Sequence, residues 1–206
     1  MLAWEELRKK AIERIYHDRE IGYLDPDIWD FLMAFYNYSE KIFTQSSCSG
    51  RVTIVDAEVP WDRKNSSVIY KNHMGISLED LKAVISKGQV SRLWLIVQGP
   101  IVHVYAKDMD TAWNVLQIAR NAGFKHSGIL VSNYKGILLE LRTGVRMTHL
   151  LKNKVDEKVE NLSGLVEVAN EVLRKGKEKM IRLTEALSSN SKNPMELRKN
   201  PKLETF

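Results

Sequence analysis

The spacing of apolar residues predicts two helices in the first forty residues. Over residues 3–20, apolar positions recur every three or four residues with charged residues between them, the period of a helix with one buried face; these positions are Leu7, Ala11, Ile12 and Ile15. Gly22 marks the end of this helix. A second helix is predicted to begin with Asp25 as N-cap and Pro26 in the first helical position, and to run to about residue 39.

Between residues 51 and 107 the pattern changes to short stretches rich in β-branched residues, which favour strands. Residues 51–58 and 68–71 are predicted strands on either side of a polar turn, and Ser77 caps a short helix that reaches about residue 86. Residues 92–97 and 101–107 are predicted to form a hairpin. Its strands are expected to lie centrally in a sheet, because both faces of each are apolar.

From residue 108 onward the chain repeats the order of helix and hairpin. Asp108 caps a helix predicted to run to about residue 122, and strands 127–132 and 137–142 follow as a second hairpin. Residues 147–151 are a candidate edge strand. This succession predicts an α+β fold with a largely antiparallel or mixed sheet and packed helices.

The pattern of the last quarter of the chain is helical and then polar. We predict one domain over residues 1–187, in which residues 151–187 form a C-terminal helical segment. Gly164 and Gly176 weaken this pattern, so one long helix and two shorter ones both fit. Residues 188–206 are rich in Ser, Asn, Lys and Pro and are predicted to be a mobile tail.

Composition excludes several classes of protein. The chain has 206 residues, of which 44% are hydrophobic and 28% charged, as is usual for a globular protein. Its longest strongly apolar run, Leu93–Val97, is far short of the ~20 residues of a membrane span. The acidic start lacks the apolar stretch of a signal peptide, and one Cys cannot form an intramolecular disulfide. We therefore expect a cytoplasmic protein without membrane contact.

The net charge of +5 is unevenly distributed along the chain. Residues 1–40 hold five basic and nine acidic residues, whereas residues 41–151 hold fourteen basic and eight acidic ones. Residues 152–206 hold twelve and nine. The positive charge therefore lies in the middle and the tail, where it favours binding to a nucleic acid.

The densest polar segment, residues 44–51, reads Thr-Gln-Ser-Ser-Cys-Ser-Gly-Arg and is predicted to be an exposed turn. Gly50 would let the backbone approach a phosphate or carboxylate closely, and Arg51 would donate two parallel hydrogen bonds to it. A solvated serine-rich loop is the alternative, since the Lys of a P-loop is absent. No His or acidic residue within the segment activates Ser46, Ser47 or Cys48 as a nucleophile.

Two kinds of site have no support in the sequence. The five His are scattered without the i, i+4 spacing of metal ligands, so we expect no bound metal. No Gly-x-Gly-x-x-Gly motif follows a predicted strand, which argues against a Rossmann-type fold.

Several motifs in order resemble the signature of the tRNA wybutosine-synthesising protein 3 family. The segment Ser46–Arg51 is the most specific, and the supporting motifs are Asp25-Pro26-Asp27, Lys71-Asn72-His73, Pro100–Val104, Ala112, Ala122–Ile129 and Leu139–Arg142. The match covers about residues 3–150. Two positions depart from the family pattern: Val68-Ile69-Tyr70 stands where a Trp is common, and Lys125 where Arg is common.

The resemblance implies a tRNA methyltransferase that uses S-adenosyl-methionine. In this family the enzyme methylates the N4 nitrogen of a tricyclic wyosine-type base beside the anticodon of tRNA-Phe, converting 7-aminocarboxypropyl-demethylwyosine to 7-aminocarboxypropyl-wyosine. The short chain resembles the archaeal stand-alone form. Two other classes stay open: a non-catalytic RNA-binding or partner protein, and a hydrolase that uses Cys48 or Ser47.

The resemblance also suggests roles for individual residues. The expected cofactor-binding residues are Ser46, Ser47, Ser49, Gly50 and Arg51. His73 and His103 are expected to orient the base or accept its proton, although a His on an apolar strand is more often a hydrogen-bonded core residue.

Contacts with RNA are expected from basic and aromatic side chains. The basic candidates are Arg51, Lys71, Lys125 and Arg142. Trp61 and Trp94 are candidates for stacking on the base, with core packing as the alternative.

Overall fold

The computed structural model describes residues 3–62, 64–153 and 161–190. In chain order its elements are α1 (Trp4–Glu20), α2 (Trp29–Tyr38), β1 (Ile42–Cys48), β2 (Arg51–Asp56), β3 (Ser67–Asn72), α3 (Leu78–Ser86), β4 (Leu93–Gln98), β5 (Ile101–Ala106), α4 (Met109–Asn121), β6 (Gly128–Asn133), β7 (Gly136–Arg142), β8 (Arg146–Lys152) and α5 (Leu162–Ser189). None of the helices described is long and apolar enough to cross a bilayer.

The strands form two four-stranded sheets in which every pairing is antiparallel. The first sheet has the order β1-β5-β7-β6, and the second sheet has the order β3-β2-β4-β8. The predicted α+β, non-Rossmann class is confirmed. The chain passes between the sheets at three places, residues 49–50, 99–100 and 143–145, which we call the sheet junction.

The predicted hairpin of residues 92–97 and 101–107 is wrong. β4 lies between β2 and β8 in the second sheet, whereas β5 lies between β1 and β7 in the first. The strands do not pair with each other because the chain changes sheets at Gly99-Pro100, and the Gly99 N–H donates instead to the Val145 carbonyl, 2.9 Å away. Each strand is central in its own sheet, as the apolar faces predicted. The hairpin of β6 and β7 is confirmed, and β8 is an edge strand, as expected.

The polar segment 44–51 is not a turn. Residues 42–48 form β1, and only Ser49 and Gly50 connect it to β2. The polar residues predict a turn, but they belong to an edge strand whose second half faces solvent. Strand residues that face solvent need not be apolar. The segment thus joins the ends of two strands in two different sheets.

Most helix predictions hold, with one correction at α2. Ser77 and Asp80 form a complete capping box at α3. At α4 the Thr111 N–H donates to the Asp108 carboxylate at 2.8 Å. Hydrogen bonds from the Thr111 side chain, the Thr111 N–H and Lys41 together lower the pKa of Asp108 to about 2. The second helix begins at Trp29 rather than at Pro26, because residues 25–28 form a turn and the Asp25 carboxylate accepts hydrogen bonds from elsewhere.

Helix α5 links two hydrophobic cores. α2 and α4 pack on the first sheet, and α3 and the N-terminal half of α5 pack on the second. Ala169 and Leu173 of α5 belong to the second-sheet core, whereas Met180, Leu183 and Leu187 belong to the first-sheet core. One long helix is therefore correct. Residues 151–152 belong to β8 rather than to the helical segment, and residues 154–160 and 191–206, the latter most of the predicted tail, lie outside the described residues.

Gly176 lies where α5 crosses the sheet junction. A Cβ at this position would be 2.9 Å from the Gly99 Cα and 3.1 Å from the Pro100 Cδ, so only glycine allows this contact without displacement of the backbone. One turn earlier, Leu173 packs against Gly50, whose added Cβ would lie 3.3 Å from the leucine side chain. The middle of α5 therefore holds two of the three crossings in place.

We expect Gly176→Ala to destabilise the fold. Alanine favours a helix over glycine by about 1 kcal/mol, but overpacking a core costs about 1–3 kcal/mol, so the free energy of unfolding should fall by up to about 2 kcal/mol. Denaturant unfolding measures this. Gly128→Ala is the control, because its added Cβ meets nothing within 4 Å. A Gly176→Ala protein more stable than the wild type by about 1 kcal/mol, the helix preference of alanine alone, would show that the helix is not pressed against the junction.

Candidate functional site

A cavity of about 700 Å³ opens beside the sheet junction. Its walls come from the C-terminal half of α1, the turn before α2, the second half of β1, the start of β2 and the end of β3. The polar residues that line it are Arg14, Asp18, Tyr23, Asp25, Thr44, Gln45, Ser46, Ser47, Cys48, Arg51, Lys71 and His73. Five of the predicted site residues therefore share one cavity, and its size is that of a small-molecule pocket.

The Asp25 carboxylate ties the α1–α2 connection to the sheet junction. Its Oδ2 accepts a hydrogen bond from the Ser49 N–H at 2.8 Å and lies 3.2 Å from the His73 Nδ1. Both Asp25 and His73 are mostly buried, with side-chain exposures of 17% and 13%. The Asp-Pro sequence that resembled a helix start therefore orients the site instead.

The geometry of His73 determines its tautomer. The ring Nδ1 lies 3.1 Å from the Gly50 carbonyl as well as near Asp25. Because a carbonyl oxygen only accepts hydrogen bonds, Nδ1 carries the hydrogen, and Nε2 of the neutral ring has a free lone pair. Within the described residues no partner contacts that Nε2. His73 is thus arranged as a proton acceptor on the wall of the cavity.

Gly50 is required at this position for two reasons. Its φ of +93° lies in the left-handed region that glycine adopts without strain, and an added Cβ would lie 2.9 Å from the Gln98 carbonyl oxygen. The close approach brings the crossing at residues 49–50 against the crossing at residues 99–100. Any larger residue would displace the carbonyl that holds His73.

Arg51 begins the second sheet next to this crossing. It pairs with Gln98, which in turn pairs with Arg146 across β4 and β8. The Arg51 Nε is buried and has no hydrogen-bond partner among the described residues. A buried guanidinium nitrogen without a partner is rare in a folded protein, so an acceptor from a bound anion is expected here.

A second polar chain crosses the first sheet from β1 to β7. The Ser46 Oγ lies 2.8 Å from the His103 Nδ1, and the His103 Nε2 lies 3.4 Å from a Glu140 carboxylate oxygen. The other Glu140 oxygen lies 3.7 Å from the Arg142 guanidinium. Both nitrogens of His103 are thus engaged, which fixes the ring and orients the Ser46 hydroxyl at the edge of the cavity.

The remaining predicted residues divide between the site and its surroundings. Ser47 and Lys71 line the cavity. Ser49 is fully buried and lies 3.5 Å from the Lys177 Nζ, which also pairs with Asp27. Its role is therefore to hold α5 against the junction.

Four predicted RNA contacts, Lys125, Arg142, Trp61 and Trp94, do not line the cavity. Lys125 is exposed in the turn before β6. Trp61 is 77% exposed near the far end of β2, and the Trp94 Nε1–H donates to the Ala57 carbonyl at 3.1 Å. The structure therefore does not bring either tryptophan together with the residues of segment 46–51.

Sequence reasoning missed several residues of the site. Glu140 lies in the Leu139–Arg142 motif but has no role assigned from the sequence, and Lys177 lies in a segment with no polar motif. Arg14, Asp18 and Tyr23 resemble ordinary surface positions at and after the end of a helix. Register alone links β1, β5 and β7, because Ser46 lies opposite His103 and His103 opposite Glu140. The predicted turn at residues 44–51 hides this signal, because a turn has no strand register.

Asp25, Cys48 and His73 place one potential metal ligand each within 4.8 Å of the others. Two of these groups already satisfy one another, because the Asp25 Oδ2 accepts from Ser49 and faces the His73 Nδ1. Burial, the largest cause, and the nearby Asp25 charge raise the pKa of the Cys48 thiol, which disfavours the thiolate that a metal needs. The expectation of no bound metal stays a prediction.

Comparison with known proteins gives consistent matches along the chain. Residues 3–189 match the family model described as Methyltransferase TYW3. A Saccharolobus solfataricus protein named tRNA(Phe) 7-((3-amino-3-carboxypropyl)-4-demethylwyosine(37)-N(4))-methyltransferase is 63% identical over 207 residues, which is 100% of this chain and 99% of that relative. An Aeropyrum pernix relative of the same name is 35% identical over 78% of this chain and 86% of its own length.

Solved structures share the fold. The PH1069 protein of Pyrococcus horikoshii superposes with a TM-score of 0.83 at 33% identity, over 89% of this chain and 95% of that structure. A protein of Aeropyrum pernix gives a TM-score of 0.70 at 30% identity, over 81% of this chain and 98% of that structure.

We expect Cys48 to react slowly with alkylating reagents. Burial raises the pKa of its thiol, so little thiolate is present near neutral pH. Iodoacetamide labelling followed over increasing pH should show a midpoint above that of the same chain unfolded in guanidinium, where the thiol has its ordinary pKa. Labelling of the folded protein as fast as that of the unfolded chain would contradict this and would revive Cys48 as a nucleophile.

Proposed function

Because this chain belongs to the Methyltransferase TYW3 family, we propose that it methylates the N4 nitrogen of 7-(3-amino-3-carboxypropyl)-4-demethylwyosine at position 37 of tRNA(Phe), with S-adenosyl-methionine as methyl donor. The observation that carries the proposal is that one cavity contains both Arg51, whose buried Nε has no hydrogen-bond partner among the described residues, and His73, whose Nε2 has a free lone pair. The first suits an anionic ligand and the second accepts a proton. We place the protein in the cytoplasm, with its tRNA substrate.

The cavity fits the methyl donor by size and by chemistry. Its volume of about 700 Å³ accommodates a nucleoside-sized ligand. We assign Arg51 to the carboxylate of the donor, because the Arg51 Nε lacks an acceptor and a guanidinium binds carboxylates in a bidentate geometry. The Ser46 and Ser47 hydroxyls and the backbone near Gly50 would supply further hydrogen bonds. When bound, S-adenosyl-methionine supplies an electrophilic methyl group on its sulfonium sulfur.

His73 is the proton acceptor in this proposal. A 4-demethylwyosine base carries a hydrogen on N4, so methylation at that nitrogen requires the loss of one proton. The His73 Nε2 takes this proton, and the resulting imidazolium donates from Nδ1 to the Gly50 carbonyl and to Asp25, 3.1 and 3.2 Å away. The negative charge of Asp25 stabilises the imidazolium, as a buried carboxylate does beside a catalytic histidine.

His103 has a different role. Because Ser46 and Glu140 engage its two nitrogens, His103 has no lone pair directed into the cavity. We assign it as a positioning residue that holds the Ser46 hydroxyl. Of the two histidines expected to be catalytic, the geometry favours His73.

The tRNA backbone is proposed to lie across the strand faces opposite α5. Lys71 lies on this face beside the cavity. Arg142 is the last residue of β7 and Arg146 is the first residue of β8, and both are exposed. In the first sheet Arg142 of β7 lies opposite Ile101 of β5, which lies opposite Cys48 of β1. Phosphates need such a spread of cations rather than one pocket. Lys125 is exposed in the turn before β6, where the N–H of the next residue, His126, donates to the Arg142 carbonyl, so its contact would be with the tRNA near Arg142.

We expect Arg51→Gln to weaken binding of S-adenosyl-methionine by at least tenfold, because a hydrogen bond between charged groups is worth about 1.5–3 kcal/mol. Calorimetric titration measures the dissociation constant. Lys82→Gln, which removes a charge from an exposed position of α3, is the control and should bind as the wild type does. Unchanged affinity of Arg51→Gln would contradict the assignment, and no binding by the wild type, with or without tRNA, would favour a non-catalytic RNA-binding protein.

We expect His73→Asn to lower kcat by about 100-fold or more, the usual contribution of a general base. Affinity for S-adenosyl-methionine should stay within twofold, and the residual rate should rise with pH as N4 loses its proton to solvent. Single-turnover methylation of tRNA(Phe) measures the rate. His17→Asn on the exposed side of α1 is the matched control. A His73→Asn enzyme with wild-type kcat would remove His73 from the chemistry.

A further inference from the structure

The substrate and the methyl donor carry the same chemical group. S-adenosyl-methionine ends in an α-amino acid on a three-carbon chain, and the base named for the relatives carries a 3-amino-3-carboxypropyl side chain at position 7. A protein that binds both at once needs two separate places for an ammonium and a carboxylate. Arg51 binds the carboxylate of the methyl donor in the proposed function, so recognition of the substrate's ammonium and carboxylate calls for other charges in the cavity.

The C-terminal half of α1, a different element from the strand that carries Arg51, offers such a pair in the same cavity. Arg14 and Asp18 both line the cavity, and they are one helical turn apart, so their side chains lie on the same face of α1. They do not pair with each other, since the Arg14 guanidinium donates instead to the Gln45 carbonyl of β1. Among the described residues the Asp18 carboxylate has no ion-pair partner.

The position of Asp18 is unfavourable for the fold. It lies in the last turn of α1, which ends at Glu20, where the helix dipole makes a negative charge destabilising. Its own carbonyl accepts from the Tyr23 and Leu24 N–H groups in the turn that ends the helix. A half-buried, unpaired carboxylate at this end of a helix does not stabilise the fold, so stability does not explain why Asp18 is present. Binding of a cationic ligand in the cavity would explain it.

We propose that Arg14 and Asp18 bind the amino-acid end of the substrate's three-carbon side chain, with the Arg14 guanidinium on its carboxylate and the Asp18 carboxylate on its ammonium. This rests on the proposed function. A zwitterion of this kind fits two opposite charges on one helix face better than it fits either alone. Tyr23, which is 80% exposed at the rim of the same cavity, supplies an aromatic ring where the attached base would lie.

The test compares two tRNA(Phe) substrates. One carries the demethylwyosine base with the 3-amino-3-carboxypropyl group, and the other carries the same base without it. The wild type should prefer the first substrate in kcat/KM. Arg14→Gln and Asp18→Asn should each reduce this preference by about tenfold or more through KM, without a change in the dissociation constant of S-adenosyl-methionine. Lys10→Gln, an exposed charge elsewhere on α1, should leave the preference unchanged.

The outcomes separate the two proposals. Arg14→Gln or Asp18→Asn that lowers kcat/KM equally on both substrates overturns the inference, as does loss of donor affinity, which would assign the pair to S-adenosyl-methionine. Asp18→Asn should also unfold at an equal or higher denaturant concentration, so a fall in activity with a fall in stability counts against a binding role. If the wild type methylates neither tRNA, the proposed function itself fails.

Discussion

The close packing of α5 against the places where the chain changes sheets is the contact on which the rest of the structure depends. Gly176 allows the helix backbone to touch Gly99 and Pro100, and Leu173 packs against Gly50. Two sheets of four strands could otherwise rotate relative to each other, since none of the described strands pairs across them. Because interiors are close-packed, a helix without a side chain at the contact fixes their relative position more tightly than a row of flexible side chains would.

The site follows from this constraint. The crossing at residues 49–50 brings the end of β1 and the start of β2 together, so the hydroxyls of one strand and the guanidinium of the other face one cavity. The same crossing exposes the Gly50 carbonyl and the Ser49 N–H, which His73 and Asp25 engage. Ligand sites of open α/β sheets lie where strand order reverses. Here a change of sheet has the same effect, because neighbouring chain segments diverge and leave a cleft.

The sequence predicted the elements well and their partners poorly. Helix periods, caps such as Ser77 and Asp108, and most strands are local properties, and these predictions hold. The false hairpin arose because adjacent strands usually pair, and nothing local at Gly99-Pro100 indicates that β4 and β5 belong to different sheets. Asp-Pro is a common helix start and predicts Asp25 as a helix cap, whereas the actual partners of Asp25 are 24 and 48 residues away. Long-range partners of this kind leave no periodic signal.

The chemistry of the two bound molecules explains why the cavity needs charges on two separate elements. If a methyl donor and a substrate base carry the same zwitterionic group, a single charged subsite would accept either one. With the two molecules exchanged, the sulfonium would lie away from N4. Separating the charges between α1 and the sheet junction removes this ambiguity, because the two subsites have different neighbours. Tyr23 lies beside the charges of α1, whereas Ser47 and His73 lie beside Arg51. Discrimination of this kind depends on what surrounds the shared group rather than on the group itself. It also accounts for the cost to helix stability of an acidic residue at the end of α1.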